Sequence, residues 1–160
     1  MDLTDSNSDA AAGPVLVAVD FSSSSHSALR WAIPYCRGCG ISLTLLHVVH
    51  DNAECPGKYT PSGHELGKED MESVGERLLT DFWLSFVADH ADLCADFKPQ
   101  TLVVTGLPAT RILEIADYLH AQHLVLGCND HGRSASGVGT LSKRILKKIT
   151  IPTTLFASAD

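Results

Sequence analysis

Five short apolar runs alternate with four longer stretches whose apolar residues recur every three or four positions. No other feature of the sequence restricts the fold as strongly. The runs are 15–19 (VLVAV), 41–49 (ISLTLLHVV), 101–105 (TLVVT), 124–126 (LVL) and 153–157 (TTLFA). They are largely continuous rather than alternating in polarity, as strands buried on both faces are. Strict β-α-β-α-β-α-β-α-β order implies a parallel sheet with helices on both faces. Right-handed crossovers leave only a few doubly wound strand orders.

The intervening stretches carry helix signals. Four serines, Ser22 to Ser25, stand where an N-cap belongs, because a hydroxyl there accepts from a free N–H of the first turn. Ala28, Trp31, Ala32 and Tyr35 then recur at helical spacing. Pro34 predicts a kink or an early end, and Gly38 and Gly40 close the segment. A second helix is expected over 67–91, with Met71, Val74, Leu78, Phe82 and Phe86 as its apolar stripe. A third starts at Pro108 and turns Ile112, Ile115, Ala116 and Leu119 inward. The fourth opens at Thr140, with Leu141, Ile145, Leu146 and Ile149 inward and Lys143, Arg144, Lys147 and Lys148 outward.

At 160 residues the chain is most simply one domain, expected over 14–158, after an acidic, polar and disordered tail at 1–13. The tail lacks the basic and apolar regions of a secretory signal, and no apolar run reaches the roughly 18–20 residues of a membrane span. A cytoplasmic protein without membrane contact is expected. A net charge of −7 argues against a nucleic-acid binder. Five cysteines, an odd number, point to free thiols in a reducing compartment. Cys36 and Cys39 form a C-x-x-C at an expected helix end, not at a helix start, and read as incidental, semi-buried thiols. His47 reads as a satisfied core histidine. The loop over 50–66 holds His50, Asp51, Glu54, Cys55 and His64, but no metal-ligand spacing.

Doubly wound sheets bind ligands beyond the carboxyl ends of their strands, where the strand order reverses. Two loops stand out there. One is 20–25 after the first strand. The other is 127–140 after the fourth, a glycine-rich loop leading into a helix N-terminus, which suits an anion. Known phosphate motifs fail: Gly132 and Gly137 have Walker spacing, but Val138 follows instead of Lys. No G-x-S-x-G or H-E-x-x-H is present, and no catalytic constellation remains.

Four segments in order, VLVAVDFSSSSHSAL (15–29), LTLLHVV (43–49), VVTGLPATRILEIA (103–116) and LVLG with GTLSKRILKKITIPTTL (124–155), resemble the universal stress protein family. The resemblance implies an open five-stranded parallel sheet in the order 3-2-1-4-5, like adenine-nucleotide α-hydrolases. It also implies a homodimer through the C-terminal strand, and division of the family into members that bind ATP and members that do not. Binders carry G-x2-G-x9-G-[ST] after the fourth strand. Here Gly127 and Gly139-Thr140 match its ends, whereas Asp130 replaces the second glycine, Gly132 comes two residues late, and the loop is one residue short. The resemblance places Ala18, Val19 and Asp20 beside adenine and ribose, with Val48 as an apolar wall. Leu126 and Gly127 line base and ribose, Gly132 offers a close approach, and Gly139, Thr140 and Leu141 hold phosphates. ATP is the implied ligand, with AMP or ADP as variants and Mg as companion ion. Asp20 reads equally as a helix-entry residue. The competing reading is a member of the family that binds no nucleotide and acts through protein contacts. Enzymatic activity is expected to amount to slow ATP hydrolysis at most.

Overall fold

The computed structural model describes residues 13–50, 68–128 and 138–157. The expected tail, most of the 50–66 loop, and the loop residues Asp130 and Gly132 lie outside the described residues.

The strands β1 (Val15–Ala18), β2 (Leu43–Val49), β3 (Gln100–Thr105), β4 (His123–Cys128) and β5 (Thr153–Ala157) form one sheet in the order β3-β2-β1-β4-β5. Every pairing is parallel. Ala18 pairs with Leu46 on one side and Leu126 on the other, so β1 ends between β2 and β4 at the point where the order reverses. Successive side chains alternate between two cores. Val15, Val17, Val19, Leu45 and Val125 face α1 (Ser23–Cys39) and α2 (Lys68–Asp89), with the short α3 (Ala91–Cys94) at the margin. Leu16, Leu46, Leu124 and Leu126 face α4 (Pro108–Tyr118) and α5 (Thr140–Leu146).

Several helix faces differ from those read in the sequence. Helix α1 does not end at Pro34 but runs through it to Cys39 and stops at Gly40 in the left-handed conformation. Pro34 is exposed, so the carbonyl one turn earlier that loses its partner can turn to solvent. The core face of α1 is Ala28, Leu29, Ala32, Ile33 and Cys36. Trp31 and Tyr35 stand at its flank, stacked at 4.8 Å between ring centres. The C-x-x-C is accordingly asymmetric: Cys36 is buried and Cys39 exposed. The four described cysteines are all free.

Helix α2 buries Phe82 and Phe86 of its expected stripe, but Leu79 takes the core position expected of Leu78, which is exposed. Gly75 lies against the sheet, where a Cβ would lie 2.8 Å from Val49 and 2.9 Å from Val103. The bare α-carbon lets the helix lie close on β2 and β3. On α5, Leu141 and Leu146 are exposed, not inward. Ser142 and Ile145 take the buried positions. Helix α3 had no periodic signal in the sequence, being only four residues long.

Candidate functional site

A short turn after β1 supplies the polar edge of the site. Beyond β1, Asp20 accepts a hydrogen bond from the Ser22 amide at 3.1 Å, one from the Ser25 hydroxyl at 2.7 Å, and a short one from the Ser22 hydroxyl. The Asp20 amide donates back to Ser25 Oγ at 3.1 Å. Ser22 is the N-cap of α1, and its side chain accepts from the Ser25 amide. The serine run therefore forms a closed polar knot around the Asp20 carboxylate, with capping as its local reason.

Phe21 follows with φ at +65°, a value sparsely populated by residues other than glycine. Asp20 and Phe21 fall on opposite sides of the sheet, as the alternation along 15–19 already places them. Asp20 faces a crevice on the α4/α5 side, and Phe21 packs on the α1/α2 core against His47, with ring centres 4.3 Å apart. His47 is buried, and its Nδ1 lies 2.8 Å from the Val19 carbonyl. Burial pushes its pKa below the usual imidazole value, against the opposing pull of that carbonyl and of Asp20. It is a satisfied core histidine, as the sequence indicated.

The crevice lies over the carboxyl ends of β1, β2 and β4 and encloses about 120 Å³. Of the ten residues expected at the site, seven line it: Ala18, Val19, Asp20, Val48, Leu126, Gly127 and Leu141. Gly139 and Thr140, at the start of α5, are not among its lining residues, and Gly132 lies outside the described residues. Five lining residues were not anticipated: Leu46, His47, Pro108, Ile112 and Ser142. Pro108 and Ile112 had a legible signal, because Gly106 and Pro108 break the chain directly at the carboxyl end of β3. Ser142 was hidden because a helical stripe with Leu141 inward leaves it outside. The walls are mostly aliphatic, and Asp20, His47 and Ser142 are the polar residues among them.

Gly127 has a packing reason independent of any ligand: a Cβ there would lie 2.4 Å from Ser24 Oγ. Residue 139 is the N-cap of α5 with φ at −61°, open to any residue type, and supplies no side-chain cap. Among the described residues no group of three His, Cys, Asp or Glu is placed to hold a metal.

Residues 12–156 match the family model described as the universal stress protein family. The chain belongs to the universal stress protein family. Solved structures share its fold at low identity. UspA from Lactobacillus plantarum is 18% identical with a TM-score of 0.62, covering 91% of this chain and 97% of that one. The Archaeoglobus fulgidus universal stress protein in complex with dAMP is 19% identical with a TM-score of 0.57, covering 90% and 97%. A universal stress protein in complex with cAMP is 17% identical with a TM-score of 0.60, covering 91% and 98%. No curated protein matches the chain by sequence. The family's five-stranded sheet in the order 3-2-1-4-5 is the one found here. Among the described residues of this universal stress protein, no helix is long and apolar enough to cross a membrane.

Proposed function

We propose that this universal stress protein binds an adenine nucleotide in the crevice between the carboxyl ends of β1 and β4. The observation that carries the reading is the crevice itself, mostly aliphatic and bounded by Asp20 at the switch point of the sheet. Its roughly 120 Å³ is small beside the ~300–1,000 Å³ that encloses a drug-sized molecule. A flat base suits it, between Val48, Pro108 and Leu126, with ribose near Asp20 and Gly127. Phosphates would run out toward Gly139 and Thr140. The relatives solved with dAMP and cAMP support the ligand class. ATP, AMP and ADP, with Mg beside the phosphates, are the nucleotides to test.

The proposed protein is one cytoplasmic domain, 14–158, that signals by its nucleotide state, with no dedicated catalytic base. It assembles as a homodimer through β5, an edge strand whose unpaired side suits a second copy. A second reading, a member without nucleotide that acts by protein contact, has one specific support. Gly127 is required by Ser24 and so is not evidence of phosphate.

Thermal unfolding with ATP, ADP or AMP, each with and without Mg, tests the choice. Ligand at about 100-fold above Kd stabilises by ~2.7 kcal/mol, a shift of several degrees for a domain of this size. No shift at millimolar nucleotide, together with an apo dimer by native mass spectrometry, would establish the second reading.

A further inference from the structure

A larger pocket, of about 440 Å³, opens on the other side of the sheet, between the first two turns of α1 and the end of α2. Its residues follow from the sequence. Ser23, His26, Ser27 and Arg30 are spaced i, i+3, i+4, i+7, so one face of α1 presents a hydroxyl, an imidazole, a hydroxyl and a guanidinium. His90, just past α2, faces them, and Phe21 forms the inner wall.

The two imidazoles are held by aromatic packing. The His26 ring meets Phe82 edge-on at 4.8 Å, and the His90 ring stacks on Phe86 at 4.4 Å. His90 Nδ1 lies 3.1 Å from the Phe86 carbonyl, which makes that nitrogen the donor. Arg30 Nη2 donates to Ser27 Oγ at 3.1 Å, so the guanidinium lies back over the pocket side of the helix. The charged groups acting on His26 are His90, Asp89 and Arg30. Burial foremost, then repulsion from His90, disfavours its protonation, with Arg30 adding to this and Asp89 opposing it. Arg30 brings a permanent positive charge to this pocket on a chain whose net charge is −7.

We propose that this pocket binds a tetrahedral oxyanion, a sulfate or the phosphate group of a small molecule, through the Arg30 guanidinium and the His26 and His90 imidazoles. A guanidinium fork matches tetrahedral oxygens, and imidazole N–H groups add donors beside it. Two imidazoles alone fall short of a zinc ligand set, which makes a metal the poorer occupant. The site is separate from the nucleotide crevice, but the two share the Asp20-Phe21 turn, whose neighbouring residues line one each. The proposal does not depend on nucleotide binding.

The test is NMR of the imidazole C–H and backbone amide resonances of the full chain. The titrant is inorganic sulfate, replacing chloride at constant ionic strength, at about pH 6 and about pH 8. Sulfate keeps its charge over that range. Saturable shifts of His26 and His90 are expected, with tighter binding at the lower pH. R30Q should weaken binding about tenfold, R30K less, because the charge remains while the fork is lost. Arg30 is exposed, so both variants should keep the wild-type far-UV spectrum. Linear shifts, equal affinity in R30Q, or saturable shifts confined to the amides of Gly139 and Thr140 would each overturn the proposal.

Discussion

Gly127, near the end of β4, sets its bare α-carbon against Ser24 in the first turn of α1, so closely that a Cβ would lie 2.4 Å from the hydroxyl oxygen and 3.1 Å from Ser24 Cβ. Ser24 is fully buried, so it cannot swing away. Gly127→Ala should therefore destabilise the fold by about 1–3 kcal/mol through overpacking. Ser24→Ala removes the nearer clash only, and the double variant should recover part of the loss. Urea unfolding of the cycle checks this. Strict additivity would mean that the two residues do not meet.

The hydrogen bonds at Asp20 make a second prediction. Its carboxylate accepts from the Ser22 amide and from the Ser22 and Ser25 hydroxyls. Asp20→Ala should cost about 1–2 kcal/mol of stability without any ligand, because the N-cap of α1 loses its organiser. A ligand-only role predicts unchanged urea midpoints in the absence of nucleotide.

Position 139 separates stability from binding. The N-cap of α5 has no side-chain hydrogen bond, and its backbone admits any residue. Gly139→Asp should stabilise the apo protein by a few tenths of a kcal/mol as a better cap. The same carboxylate would repel phosphates and abolish a nucleotide-dependent thermal shift. A shift that survives the substitution would mean that the phosphates do not approach Gly139.

Three histidines predict the acid limb of stability. Burial lowers the pKa of His26, His47 and His123. Their unfolded value is about 6.5. Above it both states are neutral and stability does not depend on these groups. As pH falls below about 6.5 toward the lower folded values, the unfolded chain takes up protons first and stability declines. His47→Asn should lower stability overall, yet flatten the unfolding free energy over that window. An unchanged slope would remove His47 from the account.

Arg111 makes two contacts of unequal worth. Its Nε donates to the Thr105 carbonyl at 2.9 Å, and Nη1 meets Glu114 at 2.8 Å in a pair with half-exposed side chains. Glu114→Gln should change stability by less than about 0.5 kcal/mol. Arg111→Ala should cost about 1 kcal/mol, since the Thr105 carbonyl loses a charged donor. Thermal unfolding of both variants gives the comparison.

Strand identity and parallel pairing were legible because continuous apolar runs and their alternation with helical stretches act locally, whereas the strand order came from the family resemblance. The Ser22 cap, the Pro108 helix start and β5 at 153–157 were found for the same reason. The faces of α1, α2 and α5 were less legible. Leu78 and Leu79, or Leu141 and Ser142, are neighbours in a stripe that periodicity alone can rotate by one residue. Contacts such as Gly75 against Val49 and Val103, which fix how close α2 lies to the sheet, join residues far apart in sequence.

The sequence alone thus determined the doubly wound class and singled out the loops after β1 and β4, and the family resemblance made their strands neighbours at the switch point. Only the tertiary structure decided what those loops do for the fold. It ties Asp20 into the serine cap, requires Gly127 for Ser24, and packs the left-handed Phe21 on His47. Periodicity records which face of an element is apolar. Distances between elements arise only when α1 closes on β4, and those distances settle the roles of individual residues.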